Sequence, residues 1–211
     1  MKNRFYSYLL LATLAIFLNG ALSAQKVSQK QMQKDVEYLA SDELEGRNTG
    51  SKGEALAADY VANRFEKLGL EPKGIGNYFQ TFRFTPKKNP HSTSEEEPEE
   101  MAGKNVVGYI DNGAPTTIII GAHFDHLGLG GEGSGSKSTD VGQVHNGADD
   151  NASGVAMLLQ LAANLKKGPS NNNYLFIAFS GEEKGLFGSS YYAKNPTIDM
   201  DRVNYMINMD M

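Results

Sequence analysis

Gly147-Ala148-Asp149-Asp150-Asn151-Ala152-Ser153-Gly154 sets two adjacent carboxylates among small residues, directly ahead of an apolar run. That run (Val155, Met157, Leu158, Leu159, Leu161, Ala162, Leu165) is apolar nearly all round and stops at Gly168-Pro169, so it predicts a helix buried against a sheet. Asp149 is the leading functional candidate of the pair.

Three further polar clusters occur where strands are expected to end. Thr116 to Ala122 contains Ile118-Ile119-Ile120 without polar alternation, the pattern of a central strand covered on both faces, and it runs into His123-Phe124-Asp125. Leu175 to Phe179 is a second covered strand and is followed by Gly181-Glu182-Glu183, then by a helical stretch through Gly188 to Ala193. Val203 to Met209 repeats the strand pattern and is followed by Asp210. Asn105 to Ile110 is β-branched and separated from Thr116 by the turn residues Asp111 to Pro115, which predicts a hairpin-like pair with the Ile118 strand. Strands alternating with helices imply an α/β fold, and open α/β sheets take their ligands at the carboxyl ends of their strands.

The chemistry follows from the residue types. Period-two geometry puts His123 and Asp125 on one face, so the carboxylate can orient the imidazole of a metal ligand. His126 points the other way and is the weaker candidate, and His145 is a candidate only for the substrate side. Adjacent Glu182 and Glu183 would repel if buried without a cation. A metal removes that objection, since one can bind the ion while the other serves as a general base. With no cysteine in the chain, a zinc site must be built from His and carboxylates, ligands typical of catalytic zinc.

The amino-terminal half is less informative. Residues 1–24 have a basic start (Lys2, Arg4), an apolar run from Leu9 to Leu18 and a small-residue exit at Ala21 to Ala24, the pattern of a secretory signal peptide. The apolar run is too short to span a bilayer. Helices are predicted from Gln25 to Ala40, with a Ser28-x-x-Gln31 capping box, and from Ser51 to Leu68, with Ser51-x-x-Glu54 at its start and Gly69 at its end. Ser41 to Lys52, with Arg47, reads as a loop, Tyr78 to Phe84 as a half-buried strand near a sheet edge, and residues 86–103 as a solvated acidic connector. Gly128 to Gly142 is expected to be a flexible loop beside the site, acting as a lid.

At 211 residues and 40% hydrophobic content, the chain has the size of one α/β domain (25–211 after the signal). The net charge is -5, or -7 once Lys2 and Arg4 are removed, which leaves no basic stripe for nucleic acid. Export to the periplasm or outside the cell is expected, with no stable membrane association once the signal is removed.

The motifs His-Phe-Asp-His-Leu-Gly (123–128), Gly-Ala-Asp-Asp-Asn-Ala-Ser-Gly (147–154), Ser-Gly-Glu-Glu-x-Gly-Leu-x-Gly-Ser (180–189) and Asn-Met-Asp (208–210) resemble, in the same order, those of the co-catalytic zinc aminopeptidases, metallopeptidase family twenty-eight. The resemblance runs from about Val36 to Asp210. It implies a zinc-exopeptidase-like fold, with a mixed, mostly parallel central sheet and helices on both faces. It also implies two zinc ions, one held by His123, Asp149 and Asp210 and the other by Asp149 and Glu183, so that Asp149 bridges them. Glu182 would be the general base toward a hydroxide held between the zincs, Asp125 would buttress His123, and the Asp149–Asp150 peptide would be cis. The substrates would be peptides losing their N-terminal residue, with carboxypeptidase or dipeptidase activity as alternatives within the family. A further histidine ligand lies beyond the final Asp in the family, so at Met211 the second site is expected to be incomplete, the fold C-terminally truncated and activity impaired. Rival readings are a glutaminyl cyclase-like acyltransferase with one zinc, and a metal-free receptor or binding domain of the same fold.

Overall fold

The computed structural model describes residues 28–86, 99–131, 134–136, 141–168 and 170–211. The expected signal sequence, most of the expected acidic connector and part of the Gly128 to Gly142 loop lie outside the described residues. Helix α1 (Gln29–Leu39) begins at Ser28, whose Oγ accepts from the Gln31 backbone N–H. Helix α2 (Lys52–Leu68) is capped by Ser51 through Glu54 N–H and closed by Gly69 in the left-handed conformation. Each start shows the serine half of its capping box only: Ser28 N–H donates to Gln160 Oε1 (3.1 Å), the Gln31 side chain turns to Asp35, and the Glu54 carboxylate accepts from Ser180 and Lys104. Between these helices, Asp42–Arg47 forms a tight turn in which Glu45, Gly46 and Arg47 all have positive φ.

Six strands form one mixed sheet in the order β1 (Glu71–Pro72), β3 (Met101–Ile110), β5 (Asn173–Phe179), β4 (Thr117–His123), β6 (Val203–Met209), with β2 (Phe79–Phe84) also pairing with β3. Strands β5, β4 and β6 are parallel, and β3 runs antiparallel to β1, β2 and β5. The expected hairpin between β3 and β4 does not form, because β5 inserts between them and pairs with both. The connector expected up to Gly103 also ends earlier, since Met101 to Gly103 already pair with Phe82 to Phe84.

Alternation along the central strands explains the two layers. Ile118, Ile120, Ala122, Phe176 and Ala178 face a core built with α1, α2 and α3 (Gly154–Leu165), where Leu158 and Leu159 are fully buried. Ile119, Leu175, Ile177 and Phe179 point to the opposite face, where Tyr192 of α4 (Phe187–Lys194) covers them. Each fully buried Leu of this kind contributes about 2 to 5 kcal/mol relative to Ala. The outlier is β6: Tyr205, Met206 and Ile207 are about half exposed on this outer strand. Because β4, β5 and β6 are parallel, their carboxyl ends deliver His123, the Glu182-Glu183 loop and Asp210 to the same edge of the sheet.

Candidate metal centre

At that edge the 147–154 segment does not run straight into its helix. Gly147 is left-handed (φ 56), Asp150 (φ -97, ψ 99) and Asn151 (φ -136, ψ 40) leave helical geometry, and regular α3 starts only at Gly154. The kink turns the Asp150 carboxylate inward and leaves Asp149 exposed. Gly147 is required here, because a Cβ on it would lie 2.4 Å from Asp150 O and 2.5 Å from His126 Cδ2. Asn151 is fully buried, and its Nδ2 donates to Met209 O (2.9 Å), tying this loop to the end of β6 beside Asp210.

Two groups of metal-ligating side chains result: His123, Asp150 and Asp210, and His126, Asp150 and Glu183, in each of which the ligand atoms lie within 4.8 Å of one another. His123 Nε2 is 3.0 Å from Asp150 Oδ1 and 3.4 Å from Asp210 Oδ1. His126 Nδ1 is 2.6 Å from Glu183 Oε1 and 4.0 Å from Asp150 Oδ2. Asp150 thus offers one oxygen to each group. Its Oδ1 is buried and makes no hydrogen bond despite the approach of the His123 ring, as expected of atoms converging on a cation.

His123 and Asp210 stand in one group and Glu183 in the other, whereas Asp149 belongs to neither, and the shared position is taken by Asp150. The cis peptide is correspondingly Asp150–Asn151, one residue later than expected. His126, the weaker sequence candidate, enters the second group because the chain leaves the extended path at the end of β4, so period-two alternation no longer applies. His145 is in neither group.

Asp125 is fully buried, and its carboxylate lies within ion-pair range of His123 while its hydrogen bonds go elsewhere. The His123 Nδ1 contact is to the backbone oxygen of Asp125 (3.1 Å), while Oδ1 lies 3.8 Å away. The Asp125 carboxylate instead accepts from Glu182 N (3.1 Å), Glu183 N (3.3 Å) and the Thr49 hydroxyl (2.9 Å). It therefore shapes the turn that carries the two glutamates. Ser180, just before that turn, donates its hydroxyl to buried Glu54 (2.7 Å).

The electrostatics reflect crowded acids. Burial would lower His123, but Asp125, Glu182 and Asp150 outweigh it and raise the imidazole to about 9. The Glu182 carboxyl is raised by burial, eased by His123 and raised further by Glu183, Asp125 and Asp210. Asp150 is raised by burial and by Glu183. Divalent cations fit this donor set of two imidazoles and three carboxylates, since cation charge relieves repulsion that the protein leaves largely uncompensated. A cavity of about 290 Å³ opens next to the glutamate turn, lined by Asn48, Leu127, Leu129 and Lys184 among others.

The model of peptidase family M28 matches residues 105–211, which hold every member of both groups. The chain is 31% identical over 167 residues to the alkaline phosphatase isozyme conversion protein of Escherichia coli, covering 78% of this chain and 46% of that one. It is 42% identical over 98 residues to aminopeptidase YwaD of Bacillus subtilis, covering 46% of this chain and 18% of that one. The chain therefore spans less than half the length of these relatives. Among solved structures, a leucine aminopeptidase precursor from Bacteroides thetaiotaomicron shares the fold (TM-score 0.65, 18% identity, 89% of this chain and 64% of that one). A glutaminyl cyclase from the same organism shares it equally well (TM-score 0.67, 17% identity, 88% and 62%). With half of its length matched by the family model, across all the metal-ligating residues, the chain belongs to peptidase family M28.

Proposed function

We propose that this chain carries the catalytic centre of an exported, zinc-dependent aminopeptidase that removes N-terminal residues from peptides. The observation that carries the reading is the shared position of Asp150 between two His-carboxylate groups at the carboxyl ends of β4, β5 and β6. His123, Asp150 and Asp210 would hold one zinc, and Asp150, Glu183 and His126 the other. Bound there, zinc would act as a Lewis acid on the scissile carbonyl and lower the pKa of a water.

The chain's own residues do the rest. Glu182 is the general base: its backbone is fixed by Asp125, and its raised pKa lets it take a proton from water and return it to the leaving amine. Asp125 holds that turn, and the backbone oxygen of the same residue orients His123 Nδ1, leaving Nε2 for the metal. The cavity beside Lys184 has the size to take a substrate side chain. Export is supported by the tripartite pattern of residues 1–24, and among the described residues no helix is long and apolar enough to cross a membrane.

The test is a panel of aminoacyl-anilides together with an N-terminal glutaminyl peptide, assayed with zinc, with chelator, and after zinc is restored. Anilide hydrolysis that is lost with chelator and regained with zinc is expected. Cyclisation of the glutaminyl peptide without anilide hydrolysis would replace this reading with an acyltransferase, and metal binding without turnover of any substrate would leave a binding domain.

A further inference from the structure

Arg47 lies in a polar turn, yet its side chain is fully buried, and its backbone is left-handed (φ 49) directly after left-handed Glu45 and Gly46. Non-glycine residues hold that conformation only where their surroundings over-determine it, so the guanidinium's partners matter. All of them are backbone carbonyls. Nε donates to Phe124 O (2.7 Å), Nη1 to Asn146 O (2.7 Å) and to Leu39 O, and Nη2 to Gly147 O (3.0 Å).

Leu39 ends α1, and the other three carbonyls belong to segments that carry metal-ligating groups. Phe124 sits between His123 and Asp125, and Asn146-Gly147 leads into Asp150. The backbone of the turn continues the connection, since Arg47 O accepts from His126 N (3.1 Å) and Gly46 O from Gly128 N (2.9 Å). The fit is close: a Cβ on Gly147 would sit 2.7 Å from Arg47 Nη2, and one on Gly46 would sit 2.4 Å from Gly128 O. No carboxylate of the described residues makes an ion pair with the guanidinium, yet Asp125, Asp150 and Glu183 are close enough to raise its pKa against the lowering effect of burial. A planar fork with five donors suits this task, whereas an ammonium offers the same charge without the geometry.

We propose that Arg47 is a positioning residue for the metal centre: it sets the spacing between the His123–His126 segment and the Asp150 loop, and its charge offsets the clustered carboxylates before a cation binds. The inference rests on the metal-binding reading above. The test compares wild type, Arg47→Lys and Arg47→Met by cobalt(II) titration, with visible absorption as the readout of ligand geometry and circular dichroism and thermal melting as the readout of folding. Arg47→Lys is expected to fold, to bind cobalt about 10- to 100-fold more weakly, and to show shifted absorption bands. Arg47→Met is expected to lose more affinity. A merely structural role would lower the melting temperature while leaving affinity and band positions of the folded protein as in wild type, and that result would overturn the proposal. Failure of Arg47→Lys to fold even with zinc present would also count against it, since positioning requires a fold that survives the change. If wild type itself binds no cobalt, the metal-binding reading is what fails, and this proposal falls with it.

Discussion

Metal binding should displace a proton from His123, and the size of that linkage follows from the site. The imidazole is raised to about 9 by Asp125, Glu182 and Asp150 against the lowering effect of burial, and only the neutral ring can ligate a cation. At pH 7 the protonated form then outweighs the neutral one by about a hundredfold, a handicap of about 3 kcal/mol on metal affinity. Apparent affinity should therefore rise nearly tenfold from pH 7 to pH 8 and level off above about pH 9, with close to one proton released from His123 per ion at neutral pH. The same shift acts on the apoprotein with the opposite sense. A folded-state pKa raised above the unfolded value stabilises fully below about 6.5, and that contribution is lost as pH rises through about 9. Apoprotein in chelator should thus be less resistant to urea at pH 9.5 than at pH 6.5, and added zinc should reverse the order. Calorimetric zinc titrations in buffers of different protonation heat count the protons, and urea melts read the stability. An affinity that stays flat between pH 7 and pH 9, or a titration that takes up protons, would refute the reasoning.

The shared role of Asp150 is tested by Asp150→Asn, which should abolish binding at both groups, whereas Asp149→Asn should retain wild-type stoichiometry by elemental analysis. Glu182→Gln should keep its metal content while turnover of an aminoacyl-anilide falls by about 10² to 10⁴-fold, and near-normal turnover would remove Glu182 from the mechanism. Gly147→Ala forces a Cβ to within 2.4 Å of Asp150 O at φ +56 and should cost about 1 to 3 kcal/mol in urea unfolding, with weaker metal binding in the folded fraction.

What could be read from the sequence was whatever depends on local pattern. The caps at Ser28 and Ser51 and the Gly69 stop are chemistry within one turn, and the covered strands β4 and β5 announce themselves by unbroken apolar runs. The placement of the His123, Glu182 and Asp210 clusters at strand ends was legible for the same reason, because each begins at, or within three residues of, the last residue of its strand. Pairing was not legible. β3 and β4 are neighbours in sequence with a turn between them, but β5, arriving more than fifty residues later, separates them, and nothing in a run of isoleucines names its partner. The choice between Asp149 and Asp150 was equally hidden, since both lie in a motif of small residues and only the non-helical φ/ψ of Asp150 and Asn151 decides which carboxylate turns inward. Arg47 gave no periodic signal at all. Its one trace was a base next to a glycine in a polar loop.

Asp125 explains how two adjacent glutamates can be kept beside four other titratable groups without unfolding the turn that holds them. Its two oxygens take three donors, and two of these are the backbone N–H groups of Glu182 and Glu183. With the turn's backbone held in this way, the glutamate carboxylates lie close enough to Asp150 and Asp210 for like charges to raise Asp150 and Glu182. The repulsion this creates has a few sources of relief: the imidazoles of His123 and His126, the buried guanidinium of Arg47 held by carbonyls rather than carboxylates, and a divalent cation. The protein spends the arginine's hydrogen bonds on backbone geometry instead of pairing it with an acid, so the carboxylate oxygens stay available. A site arranged in this way is destabilised by its own charges until a cation arrives, and the binding free energy of that cation becomes part of the folding free energy of the domain.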